Sequence, residues 1–399
     1  MKRTTKFRAT AFLLSALMVC TLALTGCGPK KTEGGGETAK GPQIALITSA
    51  AGANDKGYNE SAINGLKKVK SELGIDYKVT ESTDIPETLK QLAGAGMKVI
   101  FSLEYDFDAL IKGVGGAKPI AEQFPDTTFV IFNDNPNLKP DGTPIHKNVI
   151  SVLFDVHQAA FLSGVLSTYV IENSKDLFAP ADYSFTMGEA GRKVAFIGGT
   201  KSNGITVFSY GFAEGVNYGA AAQNVKYTYY SDYNAGFSDS ALGATKANTY
   251  YSNGANVILS SAGSVGDGVT SKAKEVKKLA IEVDANKDAN QPGYIMTSVM
   301  KNTEVPVYEI AKMFKDGKLA GAGGTQISYD LKSGATGITD LATIESKVMP
   351  SGKAKWEEIK GKVADAKAKV ESGEIKVTDA QAGEKLDKTK LANLTMPND

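Results

Sequence analysis

Short Val- and Ile-rich runs alternate along most of the chain with segments whose apolar residues recur every three to four positions. The near-continuous apolar runs predict strands over 43–48, 77–81, 98–103, 128–133 and 149–154, then a second set over 193–198, 225–231, 256–261 and 278–283. The periodic stretches predict helices over 57–73, 86–95, 157–169, 204–218, 238–252 and 267–276. Strands that are apolar on both faces, separated by amphipathic helices, argue for parallel sheets covered on both sides. The pattern repeats after an insertion at 173–191 that is rich in polar and small residues. Two similar α/β halves are the simplest arrangement.

Beyond Asp284 the pattern changes. Residues 294–300 read as a strand or hinge segment, 305–315 as a helix, and 326–329 and 336–340 as short strands. In the last helical stretch Trp356, Ile359, Val363 and Val370 share one face. That face is expected to pack on the second half.

The amino terminus follows a different logic. Lys2, Arg3, Lys6 and Arg8 precede an apolar run from Ala9 to Leu24. The basic flank and the short run predict an export signal over 1–26, the run being shorter than the roughly 20 residues that span a bilayer. Leu24-Thr25-Gly26-Cys27 resembles the bacterial lipobox, in which the cysteine carries acyl chains such as palmitate and becomes the first residue of the mature protein. Cys20 lies inside the signal and leaves with it, so no disulfide is expected. Residues 27–42, rich in Gly, Lys and Glu, read as a flexible tether. The expected location is the extracytoplasmic face of the cell membrane, held by the lipid.

Of 45 basic residues the signal removes four, leaving 41 against 44 acidic ones. That balance offers no basic footprint for nucleic acid. The chain beyond the tether, about 355 residues, is too long for one compact core and suits two lobes. Catalysis is under-equipped: the histidines are His146 and His157, and no Gly-x-Ser-x-Gly accompanies them. Asp284-x-Asn286-x-Asp288 opens like a calcium loop but has Ala289 at position six and Ile295 at position twelve, where Gly and Glu are needed. No metal and no cofactor is expected.

The surviving signals lie where open α/β sheets bind ligands, at the carboxyl ends of strands. Asn54-Asp55-Lys56-Gly57-Tyr58-Asn59 follows the first strand and opens a helix. Asn54 or Asp55 can cap that helix, but capping leaves Tyr58 and Asn59, a stacking surface beside a two-way hydrogen-bonding amide, unexplained. The glycine-rich turn from Ser261 to Gly268 allows close backbone approach around Gly263, although such turns are often purely structural. Asp284 ends an apolar strand, and Lys301 ends the run Thr297-Ser298-Val299-Met300-Lys301. The two form either a plain surface pair or, converging on a cleft, a carboxylate and an ammonium suited to sugar hydroxyls.

Taken together, these runs resemble the basic membrane protein family of bacterial lipoproteins, the purine-nucleoside-binding components of ABC importers. The resemblance extends from Gln43 to the last helix. It is carried by Asp55-Lys56-Gly57-Tyr58-Asn59, by Phe124-Pro125-Asp126 with Phe129-Val130-Ile131-Phe132-Asn133, and by Phe154, Gln158, Phe161, Leu162 and Gly164. It continues through Ile197-Gly198-Gly199, Phe208, Gly211-Phe212, Gly215, Ala262-Gly263, Val283-Asp284 and Thr297 to Lys301.

The resemblance implies a type I periplasmic-binding-protein fold, two doubly wound parallel-sheet lobes joined by a three-segment hinge. Lobe 1 is then expected to comprise 43–153 and 284–321, and lobe 2 to comprise 154–283 and 322–399. It also implies a purine stacked between Tyr58 and Phe208, with Asn59 on the base edge and Asp284, Lys301 and the Gly263 backbone around the ribose. Core packing is the competing role for Phe208. Two departures stand out: Asn133 then Asp134 replace the family's strand-end Asp, and Glu104-Tyr105 replaces a glycine-bearing turn, predicting a more acidic, more crowded cleft floor. The expectation is a non-enzymatic, monomeric, lipid-anchored solute-binding protein that delivers a purine nucleoside to an ABC permease in the membrane. Alternatives are a sugar or modified nucleoside as ligand, a sensory lipoprotein, and, less favoured, an enzyme acting on nucleosides.

Overall fold

A computed structural model describes residues 41–397 apart from 42 and 105; the expected signal segment, Cys27 and nearly all of the tether lie outside the described residues. The first set of strands is β1 (Ile44–Ile47), β2 (Tyr77–Thr80), β3 (Val99–Ser102), β4 (Thr128–Phe132) and β5 (Val149–Phe154). The second is β6 (Lys193–Gly198), β7 (Tyr227–Asp232), β8 (Val257–Ser261), β9 (Leu279–Asp284) and β10 (Ile295–Lys301). Then come β11 (Gln326–Tyr329), β12 (Thr336–Ile338) and β13 (Leu394–Thr395).

Two sheets result. One runs β11-β5-β4-β3-β1-β2 and is parallel throughout. The other runs β12-β10-β9-β8-β6-β7-β13 and is parallel except where β12 pairs antiparallel with β10. The central strands β1, β3, β5 and β8 are buried along their whole length, as strands covered by helices on both faces must be. Helices follow where the periodicity puts them, at Tyr58–Lys68, Ile85–Gly94, Val156–Glu172, Asn203–Ala222, Ser240–Ser252, Val265–Glu275, Glu304–Lys315 and Lys353–Glu371. Local chemistry sets some of their starts: the Asp84 and Asp239 carboxylates accept the N–H groups of Glu87 and Leu242 at 3.1 and 2.9 Å.

The chain crosses between sheets three times. The expected boundaries at Asp284 and Gly321 do not coincide with the strand pairing. β10 (Ile295–Lys301) still belongs to the second sheet, and β11 (Gln326–Tyr329) belongs to the first. The crossings follow β5, β10 and β11. Short strands carry no mark of the sheet they join, because pairing is a long-range choice. At the first and third crossings Phe154 and Tyr329 are strand partners, and their rings stack at 5.6 Å.

Helices Val156–Glu172 and Asn203–Ala222 pack backbone to backbone. A Cβ added at Gly164, Gly211 or Gly215 would sit 2.0–2.4 Å from a carbonyl oxygen of the opposite helix. Lys353–Glu371 lies on Val156–Glu172 with Trp356, Ile359, Val363 and Val370 buried, and Trp356 Nε1 donates to Glu345. The 173–191 insertion is less polar in effect than in composition. Phe178, Tyr183 and Phe185 form one ring cluster, and the Tyr183 hydroxyl donates to the Gly293 carbonyl at 2.6 Å.

Candidate ligand-binding site

The loop after β1 delivers Tyr58 as the first residue of its helix, which places the ring at the carboxyl end of the first sheet. Asp55 fixes that loop. Its carboxylate accepts the N–H groups of Gly57, Asn59 and Glu60 at 2.9–3.0 Å, so it satisfies the start of the helix. Asn59 is fully buried and its amide is committed inside the loop. Oδ1 accepts from the Ser49 N–H, and Nδ2 donates to Ser49 Oγ and the Gly52 carbonyl. The expected base-edge role of Asn59 is therefore replaced by a loop-bracing one. Asn54 is exposed on the loop surface.

β10 delivers Lys301 from the second sheet. Only 4% exposed, its ammonium lies 4.8 Å from the Tyr58 ring centroid, 5.9 Å from that of Phe154 and 6.0 Å from that of Phe208. These rings come from the first sheet, the first crossing and the helix after β6. Phe208 is 2% exposed and belongs to the continuous core, so it packs the core and faces the ammonium at once. Burial pushes the Lys301 pKa below its ordinary value, and the charge of Asp284 opposes that shift. Asp284 forms no ion pair with Lys301 within 4 Å; it is half-buried at the end of β9 with a left-handed backbone, φ 76°.

Asn133, just past β4, also has a left-handed backbone, φ 70°. Left-handed conformations cost a residue with a Cβ about 1–2 kcal/mol and, among such residues, are best tolerated by Asn and Asp. Asn133 and Asp284 both lie at the carboxyl ends of strands, β4 and β9, where surrounding contacts must offset that cost. Asn133 Nδ2 donates to the Tyr58 hydroxyl at 2.7 Å, whereas its buried Oδ1 has no protein partner. Gln381 from the C-terminal segment donates to the Asn133 carbonyl at 3.0 Å. Asp134 is exposed and its carboxylate accepts the Asn135 N–H, outside this group.

The two sheets' loops meet beside Tyr58. A Cβ at Gly57 would lie 3.5 Å from Lys287 Cε and 3.7 Å from Asp284 Cβ. Lys287 pairs with Glu282 at 3.3 Å, both buried. Gly263 is half-buried with φ 55°, under the Phe237 carbonyl, and Phe237 remains 42% exposed across Gly199 and Gly263. Phe154, Lys287 and Phe237 were not singled out as site residues from the sequence, since each reads there as core or surface. Glu104 follows β3 and, with Thr83, Pro86 and Asp106, lines a separate pocket of about 470 Å³. The expected acidic floor thus opens beside the helix Ile85–Gly94, away from the three rings; Tyr105 lies outside the described residues.

Residues 43–369 match the model of the Bmp family, described as ABC transporter substrate-binding protein PnrA-like. The chain belongs to the Bmp family. It is 28% identical over 379 residues to the ABC transporter nucleoside-binding protein BmpA of Lactococcus lactis subsp. cremoris, spanning 88% of this chain and 97% of that protein. It is 27% identical over 333 residues to basic membrane protein A of Borreliella burgdorferi, covering 82% and 86% of the two chains. Among solved structures it superposes on a solute-binding protein of an ABC transporter system from Aeropyrum pernix K1, with a TM-score of 0.69 at 22% identity over 88% of this chain and 95% of that one. At that identity the likeness establishes the fold, that of the type I periplasmic binding proteins. A transcriptional activator of the comK gene from Bacillus halodurans shares it at a TM-score of 0.58 and 19% identity, over 82% and 96% of the chains. This Bmp-family protein is a solute-binding component of an ABC transporter, a non-enzymatic part that works with a permease. No helix among the described residues is long and apolar enough to cross a membrane.

Proposed function

We propose that the protein captures a purine nucleoside between Tyr58 and Phe208 and presents it to its permease. The observation that carries this reading is the Lys301 ammonium, buried against rings carried by the helices that follow β1 of the first sheet and β6 of the second, with no carboxylate within ion-pair distance. Ring faces from opposite lobes suit a flat heterocycle. A buried ammonium held only by ring faces favours a ligand that brings hydroxyl acceptors, which a ribose does. Asp284 accepts from the same sugar, and the Asn133 Oδ1 takes an N–H from the base. Because Asn133 is neutral and its Nδ2 is engaged by Tyr58, the site discriminates weakly between purine bases. The Lactococcus relative, named as nucleoside-binding, supports the ligand class.

The ligand contacts groups on both sheets, so it stabilises the closed arrangement by its differential affinity for it, with the three crossings as hinge. Lobe 1 is then 43–154 with 304–329, and lobe 2 is 155–303 with 330–397. Cys27 anchors the protein to the membrane by lipid, and residues 28–42 give it reach. Titration calorimetry with inosine, guanosine, adenosine and free ribose tests the ligand class. Saturable binding of the nucleosides and none of ribose supports the reading; binding of free sugars alone overturns it. Mass spectrometry of the amino-terminal peptide from membranes tests the anchor, expected as an acylated Cys27.

A further inference from the structure

Among the described residues, one group of metal-ligating side chains lies close enough to share an ion: Asp155, His157 and Asp379, whose ligand atoms are all within 4.8 Å of one another. The three come from different elements. Asp155 ends the first crossing, with its N–H on the Tyr329 carbonyl at 2.9 Å. His157 lies in the first turn of the helix Val156–Glu172. Asp379 belongs to the C-terminal segment, which Glu214 holds by accepting the N–H and hydroxyl of Thr378 at 2.8 and 2.7 Å.

His157 supplies an independent pointer. It is 6% exposed, and its buried Nδ1 has no hydrogen-bond partner. The nearest carboxylate oxygen, Asp379 Oδ1, is 3.8 Å away, too far for a hydrogen bond. A buried polar atom left unpaired costs about 1–3 kcal/mol.

We propose that Asp155, His157 and Asp379 bind one divalent transition-metal ion of the Zn²⁺ class, fastening the C-terminal segment to the hinge. One imidazole nitrogen and two carboxylate oxygens form a borderline donor set. Mg²⁺ and Ca²⁺ prefer shells of oxygen alone, and soft Cu⁺ prefers sulfur. Two carboxylates and a neutral imidazole carry a net charge of minus two, which the ion neutralises. A tetrahedral ion with bonds of about 2.0–2.2 Å needs donor atoms about 3.3 Å apart. The donors now lie within 4.8 Å of one another, so an ion would draw the three side chains inward. An adjoining cavity of about 430 Å³, lined by Asp155, His157, Gln158, Asp379 and Glu384, gives entry and room for a water as fourth ligand. Competing contacts are few: Gln158 donates to Asp155 at 3.3 Å, the Gln381 N–H donates to Asp379 at 2.8 Å, and Lys376 pairs with Glu384 rather than with the three donors. Gln381, two residues from Asp379, reaches Asn133, so the ion steadies a segment that touches the ligand cleft. This site is separate from the nucleoside-binding reading and does not depend on it.

Calorimetric titration of the chelator-treated protein with ZnCl₂, without nucleoside, tests the proposal. One ion per chain is expected, and H157Q and D379N are expected to weaken it about a hundredfold or more. Should H157Q fail to fold, D379N, at a partly exposed side chain, decides the matter. Co²⁺ as a second probe should give a visible absorption band in the unaltered protein that is lost in either variant. No saturable Zn²⁺ binding, or equal binding by the unaltered protein and D379N, overturns the proposal. Nucleoside titration of the same samples reads the other site, so the two failures are distinguishable.

Discussion

The Lys301 ammonium, at the end of β10 in the second sheet, lies 4.8 Å from the ring of Tyr58, which opens the helix after β1 of the first sheet. A desolvated cation over an aromatic face gains about 2 kcal/mol, which offsets only part of what burying an ammonium costs. Lys301→Met should therefore leave thermal stability equal or higher. It should weaken nucleoside binding by about 10- to 100-fold, the worth of a charged hydrogen bond of about 1.5–3 kcal/mol. Unfolding scans and calorimetry on the same sample check both directions; a loss of stability with intact affinity would sink the assigned role.

Asn133→Asp changes the charge next to the base while keeping a residue that tolerates φ 70°. The variant should stay folded, with the Tyr58 hydroxyl donating to the new carboxylate. Inosine and guanosine, whose N1–H groups pair with a carboxylate, should gain affinity relative to adenosine. Competition titrations give the ratio, and an unchanged ratio places Asn133 away from the base.

Asn59→Ala should act on stability. Three buried hydrogen bonds within the first loop are lost, costing about 2–3 kcal/mol in urea unfolding. The folded fraction should keep its nucleoside affinity within about threefold, well under the 1.4 kcal/mol that a tenfold change represents. A larger loss would return Asn59 to the ligand.

Two glycines make a matched pair. At Gly215 an added Cβ meets the Phe161 carbonyl oxygen at 2.0 Å, so Gly215→Ala should destabilise by about 3 kcal/mol as the helices are forced apart. At Gly361, exposed in the middle of the last helix, nothing lies within 4 Å, and Gly361→Ala should stabilise by up to about 1 kcal/mol. Denaturation midpoints should move in opposite directions.

Lys278 donates to Thr186 Oγ1, the Ala255 carbonyl and Asn256 Oδ1, and burial lowers its pKa to about 8. Between that value and the ordinary 10.5 the unfolded chain binds the extra proton, so stability rises with pH across this window. Denaturation at pH values on either side of the window should show the rise, and Lys278→Met should lack it.

Much of the scaffold was legible in the sequence because its causes are local. The period of apolar residues located β1 to β9 within a residue or two, and the loop after β1 announced itself through Asp55 and Tyr58. The proximity of Asp284 to Lys301 was legible only as a neighbourhood, since their separation and the ring cage depend on how β9 and β10 emerge beside Phe208.

The sequence by itself determined the α/β alternation, the two-fold repeat and the family, each of which rests on residue order over short spans. The tertiary structure alone decided which sheet takes β10 and β11, that Asn59 braces its own loop, that Lys301 is buried against three rings, and that Asp379 comes to lie beside Asp155 and His157. Those outcomes depend on contacts between residues far apart in the chain. Such contacts form only when the two sheets and the C-terminal segment pack together, and no local pattern of apolar and polar residues records them.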